Sequence, residues 1–201
     1  AAIIGAAGYT GFELLKILKK HAFVKVIIAT SNTYSNKLIT DVFPSISSLE
    51  NKTVLNSSTD EFNNDNCIDG YDCRKFVSAD SLGSHILNAD VVFLCLPPHE
   101  SMEFVNKHLK KYSGSIIDIG SDFRLQDFND YKYWYGKEHQ AKRMLKDFVY
   151  GLPEVNYSRI KNAKHIANPG CYPTSVLLAL APLLKNRDNN RKKHKDQEGE
   201  E

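Results

Sequence analysis

The sequence predicts an α/β protein whose core is a Rossmann-like, doubly wound parallel sheet. One observation behind this prediction is a glycine turn at residues 5–11 (GAAGYTG), which joins a short apolar run to a segment of helical periodicity. Another is that continuous apolar runs alternate with helical segments along the chain, as buried parallel strands alternate with crossover helices. The composition agrees, because 42% of the 201 residues are hydrophobic and 25% are charged. These proportions exclude a collagen-like, coiled-coil or wholly disordered chain.

The first elements are predicted to form a βαβ unit. Ala2 to Ile4 is an apolar strand that stops at Gly5, and residues 10–20 carry apolar side chains at helical spacing. A second apolar run, from Val24 to Ala29, follows within a few residues. It supplies the second strand, and the intervening helix implies that the two strands are parallel.

The middle of the chain contains an irregular stretch followed by two buried strands. Residues 51–81 are rich in Asn, Asp and Ser, which indicates an irregular or inserted stretch with one strand near Lys75 to Val77. The run at 91–96 (VVFLCL) ends in two prolines and has the composition of a strand buried on both faces. We expect a helix from Glu100 to Tyr112 and another buried strand from Ser115 to Ile119.

The last third is less regular. Residues 127–150 are aromatic and polar without a clear period, 164–167 could form a last short strand, and 173–185 have the spacing of a buried helix. Residues 186–201 are almost wholly charged or amide, which is typical of a solvated tail or insertion.

Two domains follow from these elements. Residues 1–170 form the predicted dinucleotide-binding domain, and residues 171–185 form the first helix of a substrate domain, the start of a truncated α+β catalytic domain. The chain begins with Ala1 rather than Met, so we expect it to be a fragment.

The charge balance favours a small-molecule substrate. With 26 Lys and Arg against 24 Asp and Glu, the net charge of +2 gives no handle for nucleic acid or an anionic membrane. No apolar run is long enough to cross a membrane, and no signal peptide is visible. We expect a cytoplasmic protein, or an organellar one if a transit peptide precedes Ala1. The four cysteines lack paired ligand spacing, so neither a disulfide framework nor a metal site is predicted.

The glycine turn is the candidate cofactor site. Gly5 permits the sharp turn, Gly8 lets the backbone approach a pyrophosphate, and Gly11 lets the helix pack on the strand. Tyr9 and Thr10 begin the helix, whose free N–H groups suit an anion. The spacing is GxxGxxG rather than GxGxxG, so an ordinary glycine-rich turn stays the alternative.

The end of the second predicted strand indicates which dinucleotide binds. An Asp or Glu at this position would take the ribose 2′-hydroxyl of NAD, but here the chain reads Thr30-Ser31-Asn32. Hydroxyl and amide groups tolerate a 2′-phosphate that a carboxylate would repel. We therefore predict NADP(H) as the cofactor and Ser31 as its contact; alternatively, these residues merely cap the strand.

Cys171 is the candidate nucleophile. Residues 168–170 (NPG) suit a tight turn and Pro173 suits the first turn of a helix, so Cys171 lies where a helix N-terminus favours a thiolate. The alternative is a small buried hydrophobic residue, which is the role expected for Cys95 within its apolar strand. His165, the nearest histidine in sequence, is expected to be structural. A nucleophilic cysteine beside a nicotinamide indicates acyl reduction or aldehyde oxidation through a thioester.

The sequence resembles the N-acetyl-gamma-glutamyl-phosphate reductases of arginine biosynthesis. The similarity runs in order over residues 1 to about 185, is poor over 51–81, and does not include the charged tail. It is carried by residues 5–11 (GAAGYTG), 94–97 (LCLP), 117–125 (IDIGSDFRL), 134–136 (WYG), 150–154 (YGLPE) and 168–174 (NPGCYPT).

This resemblance implies an NADPH-dependent reductase that is a homo-oligomer when full length. Cys171 would attack the gamma-acyl phosphate, expel phosphate and hold a thioacyl group until it is reduced to the semialdehyde. The acid/base histidine is expected beyond residue 201, so the chain by itself would lack full catalysis. Pro97, at the carboxyl end of a strand, would pack near the nicotinamide and its ribose.

Two further residues in these motifs are candidates for substrate binding. Arg124 suits phosphate oxygens, although an ion pair with Asp118 or Asp122 would explain it equally well. Glu154 is open to the same two interpretations.

Two other functions stay open. Aspartate-semialdehyde dehydrogenase shares the glycine turn, the cysteine and acyl-phosphate reduction, so it is the nearest enzymatic alternative. A non-catalytic NADP-binding protein is the other, because the expected histidine is missing.

Overall fold

The computed structural model describes residues 1–47 and 72–183, which form a parallel sheet with helices on both faces. The strands lie in the order β2-β1-β3-β4-β6-β5. In chain order the elements are β1 (Ala2–Ile4), α1 (Tyr9–Lys19), β2 (Ile28–Ala29), α2 (Ile39–Val42), α3 (Pro44–Ser47), β3 (Val91–Leu94), α4 (Glu100–His108), β4 (Ser115–Asp118), α5 (Phe128–Tyr135), β5 (Phe148–Tyr150), α6 (Pro153–Lys161), β6 (His165–Ala167) and a helix α7 over residues 171–183. Three short 3-10 helices cover Ala79–Ser81, His85–Asn88 and Lys142–Asp147.

The sheet confirms the predicted doubly wound architecture. Every strand pair named above is parallel; β1 lies between β2 and β3, with Ala2 opposite both Ile28 and Val92. The chain runs outward from β1 to β2 and then returns to β3 on the other side. The strand order therefore reverses beside β1, and in such sheets ligands bind outside the carboxyl ends of the strands at this reversal.

The hydrophobic core fills both faces of the sheet, because the strands are almost entirely apolar. One cluster packs around Val92, Val105 and Ile116, and the other packs around Ile3, Leu15 and Phe76. Burial of such large apolar side chains is the main force that holds helices against the sheet.

The predicted elements are present, but several are shorter than expected. Strand β2 contains only Ile28–Ala29 of the predicted run, and α4 ends at His108 rather than at Tyr112. Tyr112 follows the end of this helix. Its hydroxyl donates to the carbonyl of Ala89, 2.8 Å away, and this bond holds the ring in place.

The strand predicted near Lys75 to Val77 is present only as two single bridges. Val77 pairs in parallel with Thr30, and Lys75 pairs antiparallel with Leu38. Phe76 between them is fully buried, so this segment extends the core beside β2. The rest of the predicted irregular stretch, residues 51–71, and the predicted tail at 186–201 lie outside the described residues.

The segment 127–150 is more regular than its sequence pattern indicated. Asp127 caps α5 by accepting from the N–H of Asn129 at 2.6 Å, and Gly136 ends the helix at φ 71°. Strand β5 then forms the edge of the sheet beside β6. No helix in the described part of the chain is both long and apolar enough to span a membrane.

Candidate active site along the carboxyl edge of the sheet

The glycine turn is built so tightly that only glycine fits at two of its positions. Gly5 has φ 79°, and a Cβ there would lie 2.5 Å from the carbonyl oxygen of Cys95. A Cβ on Gly11 would lie 2.5 Å from the carbonyl oxygen of Gly5. At Gly8 the nearest atom would be 3.5 Å away, which is an ordinary van der Waals contact, so a small side chain would fit there. The turn therefore leaves the N-terminus of α1, with exposed Gly8, Tyr9 and Thr10, accessible to an anion.

Ser31 lies directly beyond β2, as predicted, but it is buried. Its Oγ accepts the N–H of Tyr34 at 3.1 Å, and its own N–H donates to the carbonyl of Val77 at 2.9 Å. The side chain thus shapes the turn, and among residues 1–47 and 72–183 its hydroxyl hydrogen has no acceptor. The sequence interpretation missed Lys37, whose Nζ lies 5.5 Å from the centre of the Tyr34 ring and gives this turn an exposed positive charge.

Pro97 lies beyond the end of β3 and close to the glycine turn. The side chain of its neighbour Leu96 would be 3.1 Å from a Cβ on Gly5, so the segment after β3 packs directly on the turn. Pro97 itself is exposed, and its carbonyl accepts the N–H of Glu100 at 3.2 Å as α4 begins.

Cys171 is exposed and is the first residue of α7. The helix starts with a bond from the N–H of Thr174 to the carbonyl of Gly170, at 3.0 Å, and the Thr174 hydroxyl donates to the same oxygen at 2.8 Å. The preceding turn is fixed to the sheet, because the N–H of Asn168 donates to the carbonyl of Asp118 at 2.7 Å. The alternative of a buried hydrophobic cysteine is therefore wrong.

Arg124 holds the same turn from the other side. Its Nε donates to the carbonyl of Asn168 at 2.9 Å and its Nη2 donates to the carbonyl of Ile119 at 3.2 Å. A Cβ on Gly170 would lie 2.8 Å from Nη1, so the guanidinium rests against the residue before Cys171.

The alternative of an ion pair between Arg124 and Asp118 or Asp122 is wrong, because within residues 1–47 and 72–183 the guanidinium bonds backbone carbonyls instead. Asp118 accepts from the Ser101 hydroxyl at 2.7 Å, and burial raises its pKa to about 6. Asp122 accepts from the N–H groups of His99 and Met102.

Glu154 is not placed beside Cys171. It lies in the first turn of α6, is exposed, and lines a hollow of about 360 Å³ together with Val155 and with Leu178, Ala181 and Pro182 of α7. Leu178 is seven residues along the helix from Cys171, a rise of about 10 Å. The substrate role predicted for Glu154 has no geometric support at this position.

Cys95 and His165, which the sequence predicts to be structural residues, make contacts typical of that role. Burial, aided by the charge of Asp118, raises the pKa of the Cys95 thiol to about 12, so this sulfur is a poor nucleophile. His165 is buried on Phe148, and its Nδ1 accepts the N–H of Ile116 at 3.1 Å.

The candidate residues lie along one edge of the sheet. Gly5 follows β1, Pro97 follows β3, Arg124 follows β4 and Cys171 follows β6, and these strands are consecutive neighbours. At a strand spacing of about 4.8 Å, the glycine turn and the cysteine are separated by about 14 Å across the edge. An extended ligand could bind at the glycine turn and reach toward the sulfur.

The chain belongs to a family of oxidoreductase domains. Residues 1–69 and 73–163 match the family described as "Semialdehyde dehydrogenase, NAD binding domain". This membership confirms the Rossmann-like fold and the class of NAD(P)-binding domain to which the chain belongs.

The chain is also similar in sequence to curated proteins that are named phosphate reductases. The chain is 39% identical over 185 residues to the N-acetyl-gamma-glutamyl-phosphate reductase of Pelotomaculum thermopropionicum, covering 92% of this chain and 46% of the relative. It is 43% identical over 183 residues to the [LysW]-L-2-aminoadipate/[LysW]-L-glutamate phosphate reductase of Sulfurisphaera tokodaii, covering 91% and 46%. The chain thus spans less than half the length of these relatives, and the resemblance to the first group is confirmed.

Solved structures share the fold. Aspartate semialdehyde dehydrogenase from Candida albicans, crystallised with NADP, superposes with a TM-score of 0.53 at 14% identity and covers 92% of this chain and 46% of that one. The enzyme from Francisella tularensis gives a TM-score of 0.56 at 18% identity, with coverage of 92% and 40%.

Proposed function

We propose that the chain is the cofactor- and nucleophile-bearing part of an NADPH-dependent N-acetyl-gamma-glutamyl-phosphate reductase of arginine biosynthesis. The observation that carries this proposal is the exposed Cys171 at the first position of α7, on the same sheet edge as the glycine turn. The names of the curated relatives support the choice of substrate.

The residues of the sheet edge fit a dinucleotide. The turn from Gly5 through Gly11 would hold the pyrophosphate against the N-terminus of α1, because a backbone without side chains allows the closest approach. Pro97 would border the nicotinamide and its ribose. When bound, NADPH supplies the hydride that reduces the acyl group.

The end of β2 supports a preference for NADP(H) over NAD(H). Ser31 offers a hydroxyl, Lys37 adds a positive charge, and no carboxylate stands in this turn to repel a 2′-phosphate. We expect Lys37→Gln to raise the KM for NADPH several-fold and to leave the KM for NADH unchanged. An unmodified protein that prefers NADH would contradict the proposed cofactor.

Cys171 performs the acyl transfer. Its thiolate sulfur bonds to the gamma-acyl carbon, the carbon–oxygen bond to phosphate breaks, and phosphate leaves with the electron pair. The thioester is then reduced to the semialdehyde as the carbon–sulfur bond breaks and the thiolate is restored. The unpaired N–H groups of the first turn of α7 stabilise negative charge at the sulfur.

Arg124 is proposed to bind phosphate oxygens with the guanidinium hydrogens that its two carbonyl partners leave free. Glu154 would contact a substrate only if that substrate extended along α7 from Cys171. The complete protein is proposed to be a cytoplasmic homo-oligomer, or an organellar one if a transit peptide is present.

The test is an assay of the complete protein with N-acetyl-gamma-glutamyl phosphate and NADPH. We expect Cys171→Ser to lose at least a thousandfold in kcat, because alkoxide formation at serine is far less favourable than thiolate formation. Cys95→Ala is the matched control, because its buried thiol should not react, and we expect it to retain activity. Equal activity of Cys171→Ser and the wild type would remove Cys171 from the mechanism.

The substrate itself is tested by competition among three acyl phosphates. The relative from Sulfurisphaera tokodaii is named for glutamate and aminoadipate linked to LysW, so a carrier-linked glutamyl phosphate is the second candidate. Aspartyl phosphate is the third. Turnover of either of these in preference to the acetylated substrate would replace the proposed function. Cofactor binding without turnover of any of them would favour a non-catalytic NADP-binding protein.

A further inference from the structure

His99 lies at the sheet edge that carries the candidate cofactor site. The proposed acyl-transfer mechanism gives this residue no role. His99 lies two residues beyond Pro97 and caps α4, at the carboxyl end of β3 where the strand order reverses. The segment after β3, which leads to His99, packs directly on the glycine turn through Cys95 and Leu96.

The backbone of His99 is strained. Its φ of 77° and ψ of −19° are left-handed, a conformation that costs a non-glycine residue about 1 kcal/mol or more. The N–H of His99 donates to Oδ1 of Asp122 at 2.8 Å, which holds this conformation in place. Glycine would fit the same backbone without strain, so the imidazole ring needs a reason of its own.

The ring is also fixed in one tautomer. The hydroxyl of Tyr131 donates its single hydrogen to Oδ1 of Asp122 at 2.8 Å, and the hydroxyl oxygen of Tyr131 lies 3.0 Å from Nδ1 of His99. Because that hydroxyl has no second hydrogen, Nδ1 is the donor, and a neutral imidazole with its hydrogen on Nδ1 carries its lone pair on Nε2. Tyr131 is fully buried and stacked on Tyr135, so it cannot turn away.

Nε2 is therefore an oriented acceptor. Within the part of the chain that the structure describes, it has no hydrogen-bond partner, and the ring is only half-buried. We infer that His99 orients the nicotinamide half of the dinucleotide, with Nε2 accepting a hydrogen bond from a ribose hydroxyl or a carboxamide N–H. This inference rests on the proposed function.

The test compares the affinity for the whole cofactor with the affinity for a ligand that lacks the nicotinamide half. Binding of NADPH and of adenosine 2′,5′-bisphosphate, which lacks the nicotinamide half, is measured calorimetrically on the complete protein and on His99→Gly. Loss of one hydrogen bond should weaken NADPH binding roughly tenfold. The bisphosphate should bind equally well to both proteins. Glycine relieves the strained φ, so we expect the variant to fold.

Two further variants sharpen the result. Tyr131→Phe keeps the buried ring but removes the hydroxyl that sets the tautomer, and we expect it to weaken NADPH binding and spare the bisphosphate. His108→Gln changes the histidine at the far end of α4 and should affect neither ligand.

The outcomes are distinguishable. Unchanged NADPH binding in His99→Gly would overturn the inference, and so would an equal loss of both ligands, which would mean a structural role. A wild-type protein that binds neither ligand would overturn the proposed function and this inference together.

Discussion

Arg124 shows how one side chain determines the position of another. Its guanidinium spans from the carbonyl of Ile119 after β4 to that of Asn168 before α7, and so fixes the turn that presents Cys171. The planar fork of an arginine binds two separated carbonyls in a fixed geometry and still has donors left for a substrate, whereas the three donors of a lysine share one nitrogen and cannot span the same distance.

Arg124→Lys should therefore impair the reaction without unfolding the domain. We expect kcat/KM to fall about 10- to 100-fold, the equivalent of one hydrogen bond from a charged group. The alkylation rate of Cys171, measured in the same samples, should also change because the turn is freed. The control is Arg143→Lys, because Arg143 is exposed. Full activity in Arg124→Lys would show that the two carbonyl contacts are dispensable.

His165 makes the stability of the fold depend on pH. Burial, with a smaller effect of Lys164, lowers its pKa, and burial also lowers the pKa of His139. The unfolded chain therefore binds more protons than the folded one at mildly acidic pH. Stability is fully present above the ordinary histidine pKa near 6.5 and is lost as the pH falls through that value toward the folded pKa.

His165→Asn should flatten this acid dependence. The asparagine oxygen can take the N–H of Ile116 in place of Nδ1, while the contact with the Phe148 ring is lost. We expect a protein less stable at pH 7 by about 1–3 kcal/mol, with a smaller further loss between pH 7 and pH 5 in urea unfolding. His21→Asn, at an exposed histidine, should keep the wild-type slope. An unchanged slope in His165→Asn would refute this assignment.

At the scale of elements, the positions of the glycine turn differ in the space that they leave for a side chain. A Cβ on Gly11 would clash with the backbone of the turn itself, whereas a Cβ on Gly8 would make only an ordinary contact with the carbonyl oxygen of Gly5, 3.5 Å away. Replacing glycine by alanine within a helix usually stabilises it by up to ~1 kcal/mol, so the sign of each change depends on these contacts.

Gly11→Ala should destabilise the domain by about 1–3 kcal/mol, because its Cβ would lie 2.6 Å from the Cα of Ala6 and α1 must move away from β1. Gly8→Ala should change stability by less than about 1 kcal/mol and weaken NADPH binding about tenfold. Urea unfolding and calorimetry of both variants provide the comparison. Stable Gly11→Ala protein, or Gly8→Ala protein with unchanged affinity, would contradict these expectations.

The sequence indicated the elements wherever burial alone determines structure. The run from Val91 to Leu96 is apolar at every position and ends in two prolines, which is typical of a strand buried on both faces, and β3 occupies its first four residues. Strand β5 and helix α5 were not recognised because their signals are local: the capping Asp127 and the terminating Gly136 were visible, but the aromatic residues between them show no period. The contact of His99 with Tyr131 and the bond from Arg124 to the carbonyl of Asn168 join segments far apart in sequence, which no pattern within one segment reveals.

At the scale of the whole molecule, the sheet edge and helix α7 differ in how well they are enclosed. The sheet is covered on both faces, whereas α7 leaves much of its apolar surface exposed, including Leu180 at 46% and Leu183 at 65%. Val176, at 54%, lies on the same side of α7 as Leu180 and Leu183, whereas Leu178 and Pro182 lie on the opposite side and line the hollow beside Val155 of α6. Contiguous apolar surfaces of this kind drive association.

The 201-residue chain prepared alone should therefore self-associate and bind the dye ANS. We expect sedimentation velocity to show concentration-dependent oligomers at micromolar protein, and the double variant Leu180→Gln and Leu183→Gln to be largely monomeric with weaker dye fluorescence. Ile17→Gln is the control, because Ile17 is exposed singly on α1 and its removal should change neither measurement. A monodisperse wild-type chain without dye binding would show that the α7 face is not available for association. Equal behaviour of the double variant and the wild type would place the association elsewhere.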